Sequence, residues 1–398
     1  MKAICVVTTT RAEYGILTPL IKRLASENVF ETRLVVSGTH LSKEHGYTIR
    51  EIEKDGVPID ATVEIMEPGN DAFAVSKMVS NAIVGFADYF RLKRPDLLIL
   101  LGDRTEMLGV AVAALNETIP IAHIHGGEVT EGAVDDCVRH CLTKMSVLHF
   151  TSTEAYRRRV IQMGENPDRV FHVGALGAEN ISRIRTMNRD AFYDAFHISP
   201  EMKLVVVTLH PETMESRVKQ EDVFNGSADI ARMLCDCMDW MRGCFYIITG
   251  ANADKGADEI NRIFKEYVKK RENAVFVMSL GMERYLNALR HASFVLGNSS
   301  SGLIEAPILG TPTVNIGNRQ QGRLLAETVI SCKAERQSVC EAMKRALDMI
   351  HRPSKMYGEG DTSQRILKIL KRFLADDDEG MIGKRFYDIP VKVGSTNI

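Results

Sequence analysis

At 398 residues the chain is too long for one ordinary core, and two α/β domains are the natural expectation. Lys plus Arg of 50 against Asp plus Glu of 52 leaves a net charge of −2, with no basic excess to drive binding to nucleic acid or an anionic membrane. No segment approaches the ~18 consecutive apolar residues of a membrane span.

The opening Met1-Lys-Ala-Ile-Cys-Val-Val-Thr8 reads as a buried first strand. Its apolar run is too short for a signal peptide, and Thr8-Thr-Thr-Arg11 ends it without a small-residue cleavage site. Further apolar runs at Arg33–Ser37, Leu97–Leu101, Ile119–Ile124 and Val147–Thr151 predict strands, with helical spacing between them, as in Leu17–Glu27 and Asn81–Lys93. Strands alternating with helices imply parallel βαβ units covered on both faces. Asn166–Gly174 then leads into the polar stretch Arg183–Arg189, read as the linker region. A second alternating series follows, with strands at Lys203–Leu209, Cys244–Thr249, Ala274–Met278, Phe294–Gly297 and Thr313–Ile316. Helical periods lie at Val223–Asp239, Ala257–Lys270 and Glu283–Arg290, and Thr362–Leu374 before the acidic Asp376–Glu379. The expected division is residues 1–180 and 181–365 as two Rossmann-like domains, with 366–398 a C-terminal helix and tail. The eight Cys sit mostly inside apolar or helical stretches, which predicts reduced core thiols in a cytoplasmic protein.

The densest chemistry lies in Ile119-Pro-Ile-Ala-His-Ile-His-Gly-Gly-Glu128 and the following Asp135-Asp-Cys-Val-Arg-His140. On a strand His123 and His125 point to one face, and Gly126-Gly127 lets the backbone turn sharply behind them. Arg139 falls one helical turn after Asp135, so the two share a face. Imidazoles, carboxylates and a guanidinium thus converge at the carboxyl end of a buried strand, where open α/β sheets bind ligands. A His-x-His metal site is the weaker alternative, because no other Cys or His has a spacing that completes it; no metal and no cofactor are expected.

Other strand ends carry similar groups. Arg11 follows the first strand and offers a guanidinium that can fork onto a phosphate. Thr10-Arg-Ala-Glu-Tyr-Gly15 is not G-x-G-x-x-G, so a dinucleotide fingerprint is absent. Gly102-Asp103-Arg104, Leu209-His210-Pro211-Glu212, Gly250-Ala-Asn252-Ala-Asp254, Arg319 and Arg323 end other strands. In Val295-Leu-Gly-Asn-Ser-Ser-Ser-Gly-Leu-Ile-Glu-Ala306 a strand ends at Gly297 and a helix is expected to begin near Ser300. Free N–H groups at that helix start, with the hydroxyls of Ser299, Ser300 and Ser301, make a phosphate site, and Glu305 one turn on suits ribose hydroxyls. Together these suit a nucleoside diphosphate held across a cleft between domains.

Arg11-Ala-Glu-Tyr, Gly102-Asp-Arg104, His123-Ile-His-Gly-Gly-Glu128, Asp135-Asp-x-x-Arg-His140, His210-Pro, Gly297-Asn-Ser-Ser300 and Gly317-Asn-Arg-Gln320 resemble the hydrolysing UDP-N-acetylglucosamine 2-epimerases, bacterial sialic-acid-pathway type. The motifs recur in the same order over nearly the whole chain. The resemblance implies a glycosyltransferase-B-like fold, two Rossmann-like domains with the active site in the interdomain cleft. It implies a UDP-sugar substrate, the products UDP and N-acetylmannosamine, and a homo-oligomer. Relatives acting on UDP- or GDP-linked diacetylbacillosamine look alike, and a glycosyltransferase of the same fold is a third possibility. By resemblance Asp103, His125, Asp135 and His210 carry the acid–base and leaving-group work, and which of them abstracts the proton stays open. Many relatives carry Glu where this chain has His125. Arg11, Arg104, Asn252, Ser299, Ser300, Glu305 and Arg319 match nucleotide-binding positions. Gly15 and Leu280 match residues lining that site, and Glu128 is a further substrate-binding candidate.

Overall fold

The computed structural model of the chain describes residues 1–69, 71–131, 134–211, 226–251, 256–375 and 383–390. Two compact units emerge: Met1–Glu128, Cys137–Leu176 and Asp361–Ile398 form unit 1, and Val129–Asp136 with Gly177–Gly360 form unit 2.

Unit 1 is built in chain order from β1 (Lys2–Thr8), α1 (Arg11–Ala25), β2 (Phe30–Ser37), α2 (Ile49–Lys54), β3 (Ile59–Val63), α3 (Ala72–Leu92), β4 (Leu97–Leu101) and α4 (Glu106–Asn116). It continues with β5 (Ile121–Ile124), α5 (Val134–Met145), whose first turn is grouped with unit 2, β6 (Leu148–Thr151), α6 (Glu154–Gln162) and β7 (Val170–His172). The strands form one parallel sheet in the order β3-β2-β1-β4-β5-β6-β7. Alternating strand residues serve two cores. Ile4, Val6, Leu97, Ile99 and Leu101 pack under α1, whereas Cys5, Val7, Leu98 and Leu100 pack under α3 and α4. Burial on both faces is why these strands read as unbroken apolar runs.

Unit 2 follows with α7 (Leu176–Arg183), which starts at the boundary, α8 (Arg189–Ala195), β8 (Lys203–Thr208), α9 (Ser227–Trp240), β9 (Cys244–Thr249), α10 (Ala257–Val268) and β10 (Ala274–Val277). Then come α11 (Gly281–His291), β11 (Phe294–Gly297), α12 (Glu305–Leu309), β12 (Thr313–Ile316), β13 (Val329–Cys332) and α13 (Arg336–Leu347). Its parallel sheet runs β10-β9-β8-β11-β12-β13, the same winding as in unit 1. Both units are therefore doubly wound α/β folds, as the alternation of periods requires. In each, the order reverses beside the first strand, between β1 and β4 and between β8 and β11.

The last helix, α14 (Thr362–Ala375), belongs to unit 1. Its apolar stripe of Ile366, Leu367, Leu370, Phe373 and Leu374 is buried in the cluster that holds Leu17, Leu20 and Leu24 of α1. Beyond it, residues 383–390 lie on the same unit. Lys384 Nζ donates to the carbonyls of Lys144 (2.6 Å) and Ser146 (2.8 Å), closing the end of α5. The same ammonium lies 2.8 Å from Glu165, which also meets Lys144 (2.6 Å) and His149 (3.0 Å). Burial opposes ionisation of Glu165, but the His149 and lysine hydrogen bonds prevail and hold its pKa down at about 2. The stability it contributes is thus present at neutral pH and is lost as pH falls from about 4.5 towards 2. Replacing Glu165 with Ala removes the shared acceptor of two part-exposed ammonium groups and a buried imidazole and is expected to cost about 1–3 kcal/mol, read as a lowered Tm. An unchanged Tm would show that solvent replaces the carboxylate without loss.

Among the described residues no helix is long and apolar enough to cross a membrane.

Candidate active site

In a doubly wound sheet the strand ends diverge where the order reverses, leaving a crevice beyond their carboxyl termini. In unit 1 that point lies between the turn after β1, with Arg11 at the start of α1, and the turn after β4, with Gly102-Asp103-Arg104. Arg11 is exposed and Gly15 half-buried on α1, and beyond its chain neighbours and the backbone of its own helix no described protein atom lies within 4 Å of where a Cβ on Gly15 would sit. Arg104 Nε donates to Glu106 Oε1 at 3.2 Å.

The Asp103 carboxylate accepts from the guanidinium of Arg139, which α5 brings in. Arg139 is 1% exposed and also donates to the Glu128 carbonyl at 2.9 Å. A buried guanidinium balanced in this way fixes the carboxylate's orientation while leaving Asp103 itself part-exposed, as a group that handles protons requires.

The Gly126-Gly127 turn differs in one respect from the strand reading. β5 stops at Ile124, and His125 has φ +67, a left-handed conformation uncommon for a residue with a Cβ. The alternation therefore ends before His125, and the two imidazoles do not share a face. His123 is fully buried: Nε2 meets the Gly102 carbonyl at 2.8 Å and Nδ1 the Thr143 hydroxyl at 3.1 Å. Burial pushes its pKa down to about 3, so the neutral ring donates from Nε2 to Gly102 and accepts at Nδ1. His123 is thus a brace under the Asp103 turn. His125 instead lies 3.4 Å from Glu128 Oε1, which accepts from the Ser152 hydroxyl at 2.9 Å. A side chain at Gly127 would strike the Tyr156 carbonyl, so this turn needs glycine there.

Asp135 is half-buried in the first turn of α5, within the segment grouped with unit 2. Next to it, Asp136 accepts from the Thr130 N–H at 2.7 Å, holding the approach to the helix. Among the described residues no three His, Cys, Asp or Glu side chains gather as a metal ligand set.

In unit 2 the reversal point joins His210, after β8, to Asn298, after β11. Asn298 Oδ1 accepts from the His210 N–H (2.7 Å) and its Nδ2 donates to the His210 carbonyl (2.9 Å). The Asn298 carbonyl in turn accepts from Arg319 Nη1 (3.2 Å) and Gln320 Nε2 (2.9 Å). One asparagine thereby sets the positions of His210 and Arg319. The sequence places it inside a serine-rich turn and gives no sign of that role. A Cβ on Gly297 would fall inside the Thr208 carbonyl, so only glycine lets β11 leave β8 this closely. Burial, with Arg319 nearby, lowers the pKa of His210 to about 3, and the imidazole stays neutral.

The expected helix start at Ser300 is corrected. Residues Ser300–Gly302 make a single 3-10 turn capped by Ser299, and α12 begins only at Glu305. A helix running from Ser300 would place Pro307 in its interior, where the ring removes a hydrogen bond and clashes; starting at Glu305 puts Pro307 in the first turn. Ser299 and Ser300 are half-buried at this turn, and the Glu305 carboxylate packs over Gly177. Leu280 is half-buried just before α11, on the apolar cluster beneath β8 and β11. Asn252 and Glu212 lie outside the described residues.

Residues 22–371 match the family model described as UDP-N-acetylglucosamine 2-epimerase. The chain is 36% identical over 330 residues to a "GDP/UDP-N,N'-diacetylbacillosamine 2-epimerase (hydrolyzing)" of Campylobacter jejuni, covering 83% of this chain and 84% of that one. It is 34% identical over 396 residues to "Polysialic acid biosynthesis protein P7" of Escherichia coli, covering 98% of each. A crystal structure of UDP-GlcNAc 2-epimerase from Neisseria meningitidis bound to UDP-GlcNAc superposes with a TM-score of 0.77 at 18% identity, covering 94% of this chain and all of that one.

Proposed function

The chain belongs to the UDP-N-acetylglucosamine 2-epimerase family, and from that premise we propose that it hydrolyses UDP-N-acetylglucosamine to UDP and N-acetylmannosamine, inverting C2, for sialic-acid-type synthesis. The observation that carries this reading is the Asp103 carboxylate oriented by the buried Arg139 at the sheet's reversal point. The C2 hydrogen of the sugar is not acidic while no carbonyl activates it. Stretching of the C1–O bond first gives oxocarbenium character at C1 and makes that hydrogen removable. The bonding pair goes to the departing UDP oxygen, and cations on the diphosphate stabilise it, the large electrostatic contribution in such reactions. A carboxylate takes the C2 proton and the C–H pair becomes the C1=C2 bond of 2-acetamidoglucal. Water then adds at C1 while a proton returns to C2 from the other face.

Burial keeps His210 neutral, which supports a hydrogen-bonding part for it, and Asp103 and Asp135 are the carboxylates proposed for proton abstraction. His125 joins them as the group whose strained backbone turns it out of the strand. Arg11, Arg104, Ser299, Ser300, Glu305 and Arg319 are proposed to hold the nucleotide, with Glu128, Gly15, Leu280 and Asn252 beside them. Removal of the Arg319 side chain is expected to weaken UDP binding by roughly 1–3 kcal/mol, and Ser300→Ala by less. Isothermal calorimetry with UDP decides this, and unchanged affinity in Arg319→Ala takes the nucleotide off that loop.

A second reading has its own support: the Campylobacter relative is named for diacetylbacillosamine linked to GDP or UDP. Incubating the protein with UDP-N-acetylglucosamine, UDP-diacetylbacillosamine or GDP-diacetylbacillosamine, with no acceptor, separates the readings. Release of free N-acetylmannosamine supports the first and turnover of a bacillosamine donor alone the second. No free sugar from any of them removes hydrolysing epimerisation.

A further inference from the structure

Two buried carboxyls of unit 1 take no part in the chemistry above. Glu13 on α1 and Glu106 on α4 are 6% and 1% exposed, and the hydroxyl of Thr9 stands between them. Thr9 Oγ1 lies 2.6 Å from Glu13 Oε2 and 2.7 Å from Glu106 Oε1. A threonine hydroxyl carries one hydrogen, so it satisfies one of these contacts as donor. The other requires a hydrogen supplied by a carboxyl group. Arg104 donates to Glu106 Oε1 at 3.2 Å, while Glu13 Oε2 also accepts from the Thr9 and Thr10 N–H groups at 3.0 and 3.1 Å; the burial of Glu13, with Glu106 beside it, is what favours the proton on Glu13. The chain then runs from the Glu13 acid to the Thr9 oxygen, from the Thr9 hydroxyl to Glu106, and from Arg104 to Glu106. Among the described residues, Glu13 Oε1 and Glu106 Oε2 have no hydrogen-bond partner, which two adjacent buried carboxylates would tolerate poorly.

We propose that Glu13 and Glu106 are a proton-sharing pair bridged by Thr9, with Glu13 the protonated member, that positions Arg104 and tunes its hold on a nucleoside diphosphate. Both act through Arg104 and are positioning residues. The pair ties the turn after β1 to the turn after β4, 97 residues away in sequence. The Glu13 carboxyl also completes the capping box of α1, accepting from the Thr10 N–H at 3.1 Å. When Glu13 loses its proton, a second negative charge joins Glu106 and neutralises more of the Arg104 charge, leaving less for phosphate. Glu106 and Arg104 are the charges that act on Glu13, and His40, against Thr8 at 3.2 Å, is held neutral by burial.

Burial, with Glu106 beside it, raises the pKa of Glu13 from 4.5 to about 7. Because the folded value lies above the unfolded one, the stabilisation is full below pH 4.5 and is lost as pH rises through 7. Three measurements test the pair. In wild-type protein carrying carbon-13 glutamate, infrared spectra at pH 6 should show an isotope-shifted carboxylic acid band that fades by pH 8; its absence at pH 6 overturns the shared proton. Glu13→Gln supplies a neutral amide in place of the acid. Its Tm should match or exceed wild type at pH 8, without the wild-type fall between pH 5 and 8; an unchanged slope also overturns the pairing. The positioning of a diphosphate rests on the epimerase reading and is tested with UDP itself. The wild-type dissociation constant, divided by that of Glu13→Gln to cancel the phosphate's own titration, should rise about threefold from pH 6 to 8, the size of a part-exposed charge interaction. A flat ratio removes the link to Arg104. Should the infrared and Tm results hold while no nucleotide sugar is turned over, the epimerase reading alone falls.

Discussion

Asp103→Asn should lower kcat by about a hundredfold or more while the protein still folds and binds UDP. Asn is nearly isosteric, and its amide oxygen still accepts from the buried Arg139 guanidinium, so the turn after β4 keeps its shape. What is lost is the negative charge and the ability to take a proton. The loss should fall on kcat, because the proton moves only as the C1–O bond breaks, and an interaction made only in the transition state leaves KM alone. Asp135→Asn should behave alike if it is the partner that protonates the opposite face. Comparing kcat, KM, UDP affinity and Tm for each variant separates chemistry from folding. A lowered Tm with normal turnover in the folded fraction would make Asp103 a structural partner of Arg139 and nothing more.

The sequence carries the two parallel sheets well and their borders poorly, for one physical reason. Interior strands such as Leu97–Leu101, Cys244–Thr249 and Thr313–Ile316 are buried on both faces, and their apolar runs end where the strands end. The strands that escape a reading of apolar runs are Ile59–Val63, Val170–His172 and Val329–Cys332, all at sheet edges and all partly exposed. These three need apolar residues on few positions and so leave no run to recognise, whereas the edge strand Ala274–Val277 keeps an unbroken apolar run and is legible. The site follows the same logic. Groups at strand ends are legible because the end of an apolar run marks the place. Their partners are not: Asp103 meets Arg139 36 residues on, His210 meets Asn298 88 residues on, and Thr9 meets Glu106 97 residues on. No local period encodes such pairs. His123 shows the opposite error, since a two-residue spacing implies a shared face only while the strand continues, and this one stops at Ile124.

Running the reaction in deuterium oxide should place deuterium at C2 of the released sugar, and running it in oxygen-18 water should place the heavy oxygen at C1. Inversion at C2 breaks and remakes the C–H bond. If C1–O cleavage comes first, the intermediate is a glycal with no hydrogen at C2, and the proton that returns comes from the opposite face. Asp103 is part-exposed, so a proton taken by this carboxylate exchanges with solvent. The group that delivers the new proton draws on the same solvent pool. Retention of the original hydrogen would need one group to carry it around the sugar without exchange. The oxygen label is an independent check: attack of water at phosphorus would put oxygen-18 on UDP and leave the sugar unlabelled, whereas addition to the glycal marks C1. Mass spectrometry of the two products reads both labels from one sample. A sugar that keeps its C2 hydrogen would point to internal proton return or hydride movement, and the acid–base parts given to Asp103 and Asp135 would have to be withdrawn.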